Sequence, residues 1–503
     1  MPMATHSAFE SDPFQLAREG FEAIVGWLRD SGSSVDHSLL EEGLGERGRE
    51  VLRLLYQAQL DELSKVEKNK AARTPIPQGT SVRTRGREIE TTFGRVRFRR
   101  LGYKVSKRKT HYPLDERLNL PAEVYSHPLR RRVAEQARVV AWDGVVEHVD
   151  DTTGAHVPKR QAEQLTREAA KDFDAFYAQR PANDTLAAGA LLVASSDGKG
   201  IRMLPKALRE ATRKAAEADQ AAAIHGDPMA QKKKLRLHDR RMAIVTAVWE
   251  QQPQPRAASD IVSELQRTPE RSKERKTPLP RPQNKRVSAS VQKSLSTGVG
   301  EMFDELDHRD PERARCAVVL IDGDEHQQTA ILDEGRRHAR KLTIVLDLIH
   351  MIHYLWLAGF ALCHKNHAKT DVWVARHLLL VLSRPVADLL ATIQAAADAQ
   401  RLSKCARKPI DKALKYFRRN ASFMDYPTFL AQGLPIASGV IEGACRHLIQ
   451  DRLGITGARW DLPGAEAMLR LRALRTSGDW DDYWRFHQRQ EALRNYPSAL
   501  AAA

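Results

Sequence analysis

The sequence predicts an α/β protein with a mixed central sheet whose elements follow the order β-β-β-α-β-α-β. Short apolar runs of the kind that form buried strands recur in the middle of the chain, with helical patterns between the later ones. After them, residues 351–430 show helical patterns and no strand pattern, so we expect an all-helical insertion there. Four of the five strands in this order are placed by apolar runs, at 191–201, 240–250, 315–324 and 341–350, and the two predicted helices lie at 288–306 and 325–339.

Chain length indicates the number of domains, and net charge indicates the kind of binding partner. A chain of 503 residues has room for two to four domains. Its formal net charge is +16, which favours an anionic polymer as partner. Residues 65–132 hold 19 Lys or Arg against 6 Asp or Glu, so most of the surplus lies in one segment.

Cysteine usage and hydropathy exclude several classes of protein. The four cysteines form no Cys-x-x-Cys pair, which argues against a zinc knuckle and against a disulfide framework. The first residues carry no signal-peptide pattern, and no run of about 18 apolar residues occurs, so we expect a soluble, cytoplasmic and nucleoid-associated protein without membrane contact.

The amino-terminal part is predicted to be helical and then to form a basic hairpin. Residues 13–64 contain two amphipathic helical patterns separated by SGSS, and residues 66–87 have the composition of a polar linker. The following stretch, TTFGRVRFRRLGY, alternates Arg95, Arg97 and Arg99 with apolar residues. This alternation predicts a hairpin with one apolar and one basic face.

Residues 129–171 have the layout of a helix-turn-helix. A helical pattern ends at Thr153-Gly154, and a second helix is predicted to open with Lys159, Arg160 and Gln161. These three side chains suit DNA phosphates and base edges. A plain helical hairpin with a glycine turn would give the same pattern, so this alternative stays open.

The stretch from about 205 to 287 interrupts the strand region and is predicted to be a mobile insertion. Residues 205–239 are rich in Ala and Lys without a strand pattern, and residues 251–287 are rich in Pro, Gln, Arg and Ser. The whole chain then divides into five predicted regions: 1–65, 66–185, 186–350, 351–430 and 431–503.

Two predicted strands end in the same Asp-Gly pair, at Asp197 and at Asp322. Turn chemistry explains either pair taken alone. Taken together with Glu442 on a later helix, they form a candidate site for two divalent cations, Mg²⁺ or Mn²⁺, which prefer carboxylate oxygens. Two such ions promote in-line displacement at phosphorus. On a core of this strand order, three acids point to the RNase-H-like nucleotidyl-transfer fold.

A further acid, Asp347, competes for the middle position of this set. It follows the last predicted strand, and His350 and His353 come three and six residues later. The alternative is a strand end followed by polar residues of a helix. A transition-metal site on the two histidines lacks a second cluster to complete it.

The stretch from Leu434 to Trp460 carries the last acid on a helix rich in basic residues. Glu442 opens that helix, whose dipole favours an ionised carboxylate there. An ion pair would explain a single acid among bases, whereas a polyanionic substrate would explain the bases as well. Trp460 could stack on an unpaired base or belong to the core, and we favour the core. The candidate DNA-contacting residues here are Arg446, His447, Arg452 and Arg459.

Four motifs resemble those of the DDE transposases of bacterial insertion sequences, specifically the ISKra family. They are SSDGKGI, VVLIDGD, LDLIHMIHYLW and LPIASGVIEGACRHLIQDRLGITGARW, and the likeness covers roughly residues 88–485. The resemblance implies an RNase-H-like core with an all-α insertion before the last catalytic helix. It also implies that Asp197, Asp322 and Glu442 are the metal-binding catalytic triad, with Asp347 and His350 shaping the site.

These observations predict a DNA transposase that binds terminal inverted repeats through its amino-terminal half and acts as a homo-oligomer on double-stranded DNA. Its core would cleave and rejoin strands by a two-metal mechanism. Two alternatives remain, namely a DNA-binding protein that has lost this chemistry and a structure-selective RNase-H-like nuclease.

Overall fold

A computed structural model describes residues 12–31, 34–180, 189–223, 238–265, 280–400 and 402–497. The chain divides into two compact units. The amino-terminal unit ends at Ala178 and also includes the chain from Trp480 onward, and the central unit runs from Gln179 to Asp479. Within the described ranges, no helix is both long and apolar enough to cross a membrane.

The amino-terminal unit combines helices with one two-stranded antiparallel sheet. Its elements are α1 (Gln15–Ser31), α2 (His37–Arg73), β1 (Thr80–Thr91), β2 (Gly94–Val105), α3 (Pro113–Arg117), α4 (His127–Ala137), α5 (Trp142–Thr152), α6 (Lys159–Ala169), α7 (Phe173–Ala178) and, from the end of the chain, α20 (Trp480–Asn495).

The predicted basic hairpin is confirmed. Val96 and Phe98 are buried, whereas Arg95, Arg97 and Arg99 are exposed, as the alternation requires. Helix α2 covers the outer edge of β2, because Gln57 both donates to and accepts from the backbone of Arg97, at 2.5 and 2.9 Å. An edge strand covered in this way offers fewer free backbone groups to other chains.

The prediction of a polar linker over residues 66–87 is wrong. Helix α2 continues to Arg73, and β1 begins at Thr80, so only a short segment connects them. Within this extended helix, the Glu67 carboxylate accepts hydrogen bonds from the backbone N–H groups of Leu101 (2.8 Å) and Leu114 (3.2 Å). A sequence rich in Lys and Glu gives no sign of such a contact.

The helix-turn-helix layout is present in α5 and α6. Helix α6 begins at Lys159, as predicted, and buries Ala162, Leu165 and Ala169. Its first-turn residues Lys159, Arg160 and Gln161 are exposed.

The central unit contains a mixed five-stranded sheet, which confirms the α/β class. Its strand order is β5-β4-β3-β6-β7. Strands β3, β4 and β5 are antiparallel neighbours, whereas β6 and β7 run parallel to β3. The strands are β3 (Leu191–Arg202), β4 (Arg240–Gln251), β5 (Gln283–Ser290), β6 (Ala317–Ile321) and β7 (Leu342–Leu346).

Helices and short turns complete the central unit. They are α8 (Glu210–Ala223), α9 (Ala258–Leu265), α10 (Leu295–Arg309), α11 (Glu325–Arg337), α12 (Leu348–Leu362), α13 (His367–Ser383), α14 (Val386–Ala399), α15 (Lys404–Asn420), α16 (Tyr426–Ala431), α17 (Gly439–Cys445), α18 (Asp451–Leu453) and α19 (Leu462–Ser477). In the described part of 351–430 every regular element is a helix, as predicted for the insertion.

The stretch 205–287, predicted to be one mobile insertion, contains regular elements in its described parts. Helices α8 and α9 lie within it, and residues 283–287 form the first part of β5. The predicted helix at 288–306 therefore begins later, at Leu295. Residues 224–237 and 266–279 lie outside the described residues. Strand β5 supplies the third strand of the predicted order. The apolar runs in the sequence do not show where this strand lies.

Candidate functional site

Three aspartates occupy the same row across three neighbouring parallel strands. Strand β3 pairs with β6 so that Ser195 faces Leu320, and the same register carried two positions further sets Asp197 opposite Asp322. Strand β6 pairs with β7 so that Ile321 faces Leu346, and the next position sets Asp322 beside Asp347. Since neighbouring strands lie about 4.8 Å apart, this row, which we call the acid row, places the three aspartates side by side along the backbone at one edge of the sheet.

The prediction that Asp197 ends its strand needs correction. Strand β3 continues to Arg202, and its second half pairs with β4 while β6 has already ended. Asp197 therefore lies where β3 loses its partner on one side. Its backbone is fixed by β4, and its side chain is only partly buried.

The turn after Asp322 is shaped by Gly323 and by two hydrogen bonds. Gly323 has a φ of +86°, which favours glycine. The Asp322 carboxylate accepts from the backbone N–H of Asp324 at 2.8 Å, and the Tyr416 hydroxyl donates to the Asp322 carbonyl at 2.7 Å. Asp322 is thus held by its own turn and by α15.

Gln327 ties two strands of the acid row together, and sequence patterns do not single it out. Its Oε1 accepts from the backbone N–H of Asp322 at 3.0 Å, and its Nε2 donates to the carbonyl of Ser196 at 2.5 Å. The side chain is buried. A buried glutamine with its amide satisfied at both ends fixes the spacing between Asp322 and the residue before Asp197.

Helix α17 carries Glu442 and is anchored to the acid row at both of its ends. At its start, the backbone N–H of Ser438 donates to Asp347 Oδ2 at 2.8 Å, and Ser438 Oγ caps the helix by accepting from Ile441 N–H at 3.2 Å. At its end, Cys445 Sγ donates to Asp197 Oδ2 at 3.2 Å. Glu442 lies between these two anchors, and it is exposed.

The negative charge of this site is only partly offset by nearby basic groups of the described residues, namely His350 and Lys199. Burial raises the pKa of Asp322, and repulsion from Asp197 adds to the effect, although His350 opposes it. Partial desolvation of the exposed Glu442 side chain raises its pKa, and repulsion from Asp347 and Asp197 acts in the same direction, whereas His350 and Lys199 oppose it. The nearby carboxylates raise the pKa of His350, Asp347 first among them. A bound cation would relieve this repulsion.

The donor set fits a hard divalent cation, although the described side chains do not form a closed site. Among the described residues, no three His, Cys, Asp or Glu side chains are grouped tightly enough to hold a metal ion. Asp197, Asp322 and Glu442 offer carboxylate oxygens of the type Mg²⁺ and Mn²⁺ prefer. Their side chains would have to draw closer to share a cation.

Asp347 is the acid of the row least suited to bind a metal. It is 4% exposed. Its Oδ1 accepts from the backbone N–H of Ile349 at 2.8 Å, and its Oδ2 accepts from that of Ser438. Both oxygens of Asp197 also accept hydrogen bonds, from Gly198 N–H (2.6 Å) and Cys445 Sγ (3.2 Å), but Asp197 is only partly buried. Burial therefore separates Asp347 from Asp197, and Asp347 acts on the site through the segments that it holds.

The predicted basic residues of the Glu442 segment separate into two groups. Arg446, His447 and Arg459 are exposed, and the first two lie 3.6 and 3.0 Å from Asp451. Arg452 is buried, with its guanidinium 5.0 Å from the centre of the Trp460 ring, and burial lowers its pKa to about 10. Arg452 is thus a core residue, and its prediction as a DNA contact does not fit this position.

Trp460 belongs to the core, the alternative that the sequence favoured. It is 5% exposed. Its backbone continues the sheet region, because its N–H donates to the carbonyl of Arg202 at 3.1 Å and its carbonyl accepts from Leu204 at 2.7 Å. An unpaired base could not stack on a ring buried to this degree.

No protein-family model matches this chain, and no curated protein is similar enough to it to count as a relative. The functional argument therefore depends on the residues and geometry described above.

Proposed function

We propose that this chain is a DNA transposase of the DDE type, similar to those of the ISKra family. The observation that carries the proposal is the acid row, together with a Glu442 helix anchored to Asp347 at one end and Asp197 at the other. Two acids on adjacent parallel strands and a third on a tethered helix form a set suited to phosphoryl transfer.

The order of strands supports an RNase-H-like core for this proposal. Three antiparallel strands are followed by two strands parallel to the first, in the sheet order β5-β4-β3-β6-β7. The first acid lies on the first strand of this series and the second follows the fourth strand, β6. The all-helical segment between Asp347 and Glu442 also agrees with the insertion that the resemblance implies.

The residues of the site have different proposed roles. Asp197, Asp322 and Glu442 would hold two divalent cations, which when bound supply Lewis-acid activation of the attacking oxygen and stabilisation of the leaving oxygen. Asp347 orients the start of α17, and Cys445 orients the Asp197 carboxylate. Arg446 and Arg459 add positive charge along the surface that carries Glu442, and His447 offers ring N–H groups there.

The amino-terminal unit is the proposed DNA-reading part, acting on the element ends as part of a homo-oligomer on DNA. Its helix-turn-helix exposes Lys159, Arg160 and Gln161 at the start of α6, where such motifs contact the major groove. Its hairpin adds a row of exposed arginines. Both features contribute to the net charge of +16, which favours binding to the phosphates of DNA.

The proposal is tested by cleavage of DNA that carries the ends of the element encoding the chain, with unrelated duplex DNA and branched DNA as comparisons. We expect cleavage and strand transfer of the element ends in Mg²⁺ or Mn²⁺, and their loss in D197N, D322N and E442Q. The matched control is D333N, which changes an exposed acid on α11 that pairs with Arg336.

The same assay separates the two alternatives. Cleavage of branched DNA regardless of sequence would identify a structure-selective nuclease. Binding without cleavage in either metal would identify a DNA-binding protein without this chemistry.

A further inference from the structure

Helix α15 of the all-helical insertion exposes a stripe of positive charge. Lys404, Lys408, Lys412 and Lys415 are all exposed. At about 100° per residue, these four positions and Arg419 fall within an arc of roughly 80°. We call the four lysines the α15 stripe.

The α15 stripe has no carboxylate partner in the part of the chain that the structure describes. The one acid in the sequence of α15, Asp411, lies 3.3 Å from Arg407. Among the described residues, none of the four lysines forms an ion pair with a carboxylate, and Lys412 lies 5.7 Å from the centre of the Tyr354 ring. Four like charges on one helix face repel each other, which costs stability unless an anion binds there.

The other face of α15 is already covered, which decides the class of partner. Ile410, Ala413, Leu414 and Phe417 are buried within the central unit. No apolar surface of this helix is therefore left for a lipid bilayer, to which basic amphipathic helices bind through their apolar side. The stripe is suited to a partner recognised by charge alone.

The stripe leads to the acid row. At the carboxyl end of α15, the Tyr416 hydroxyl donates to the carbonyl of Asp322, and Arg419 contacts the carbonyl of Gly323 and the carboxylate of Glu325. From Lys404 to Lys415 the helix rises about 16 Å, a length that spans about five nucleotides of one strand in B-form DNA. The carboxyl end of α15 therefore lies beside the turn that follows Asp322.

We propose that the α15 stripe binds the phosphate backbone of the DNA strand that enters the acid row. The inference rests on the proposed function, and it assigns to the helical insertion the task of guiding the strand. Lysine contacts phosphates as a point charge and reads no bases, so the contact is independent of sequence.

The test measures DNA binding by the full chain without metal, over a series of salt concentrations, so that cleavage does not interfere. Each lysine lost from a phosphate contact lowers the slope of log affinity against log salt by about 0.9. We therefore expect K408E/K412E to lower the slope by about 2, and to do so equally on element ends and on unrelated DNA.

Two control variants make the result specific. K408R/K412R keeps the charge and is expected to keep the slope. K369E/R376E changes net charge by the same amount at exposed positions of α13 and is expected to have a much smaller effect. An unchanged slope in K408E/K412E, or an equal loss in K369E/R376E, would overturn the inference.

The outcome is separable from that of the proposed function. If the wild-type chain cleaves element ends while K408E/K412E binds DNA as the wild type does, only the role of α15 fails. If the wild-type chain binds DNA without cleaving it, the transposase proposal fails, and the salt slopes still decide whether α15 contacts phosphates.

Discussion

The carboxylate of Asp347 accepts a 2.8 Å hydrogen bond from the backbone N–H of Ser438, the residue that caps helix α17. Its other oxygen accepts from Ile349 N–H at the start of α12. One buried side chain thus joins the end of β7 to the helix that carries Glu442. Asp347 sets the position of a candidate catalytic residue by way of the backbone.

Asp347→Asn is expected to reduce cleavage and D322N to abolish it. An asparagine at position 347 has one acceptor oxygen for two backbone donors, so one buried N–H loses its partner, at a cost of about 1–3 kcal/mol. Glu442 is then placed less firmly, but the proposed metal ligands remain. The measurement is the single-turnover cleavage rate, beside thermal denaturation of each variant. If D347N were inactive but fully stable while D322N remained active, Asp347 would be the proposed metal ligand and Asp322 the supporting residue.

Much of this site could be predicted from the sequence. Residues at matching positions of neighbouring parallel strands lie side by side, so acids at matching strand positions become neighbours. The Asp-Gly pairs at Asp197 and Asp322 both lie beside apolar runs, so their convergence on one row could be predicted. The contacts of Gln327 and Cys445 could not. A polar residue three positions into a helix and a cysteine on an apolar face have no distinctive pattern, and their roles depend on which strand they meet in three dimensions.

Gly323→Ala adds only one methyl group, but we expect it to lower both the stability of the protein and its rate of cleavage. A Cβ at this position would lie 2.7 Å from the Tyr416 hydroxyl oxygen, and the φ of +86° would strain any side chain. The left-handed conformation alone costs about 1–2 kcal/mol. We expect a lower melting temperature and at least a tenfold slower cleavage. The matched control is Gly439→Ala in α17, where an added Cβ meets no atom within 4 Å. Equal behaviour of the two variants would contradict the prediction.

The fold was less predictable where strands and helices are polar. Strand β5 lies at the edge of the sheet and buries Val287 and Ala289, so its sequence, QNKRVSAS, lacks the apolar run that marks β3 and β4. Polar and basic residues suit an edge strand. Its position is fixed by a distant residue, because Glu466 of α19 accepts from Ser290 Oγ (3.0 Å) and Val291 N–H (2.9 Å). Such long-range contacts leave no local pattern.

Arg160→Ala is expected to weaken DNA binding more than Lys159→Ala. Both residues are exposed at the start of α6, but Lys159 Nζ already lies 2.8 Å from Asp143 Oδ1. The loss of a free phosphate contact lowers the salt slope by about 0.9, so we expect nearly this drop for R160A and a smaller one for K159A. The full chain is titrated with element-end DNA without metal, and R160K serves as the charge-preserving control. A slope unchanged in R160A would remove α6 from the DNA-binding surface.

The amino-terminal unit contains a buried charge network that predicts how its stability depends on pH. Asp172 accepts from His487 and Arg494 at 2.6 Å, and Glu491 accepts from Lys171 at 2.7 Å and from Arg130 at 2.8 Å. Burial alone would raise the pKa of both acids. The hydrogen bonds and neighbouring positive charges outweigh it, so that the pKa of each falls to about 2.

A pKa lowered by folding stabilises the folded state above the unfolded-state value and loses this contribution as the pH falls toward the folded-state value. For Glu491 the window runs from about 4.5 down to about 2. Between pH 6 and pH 3 the lost contribution is about 2 kcal/mol. We therefore expect E491Q to be much less stable than the wild type at pH 6, with the gap in free energy of unfolding about 2 kcal/mol smaller at pH 3.

The comparison uses scanning calorimetry of the unfolding transition of this unit. The control is D482N, an exposed acid on the same helix that pairs with Arg485, for which the gap should stay nearly constant. If the E491Q gap stays constant as well, Glu491 is not held ionised by Lys171 and Arg130.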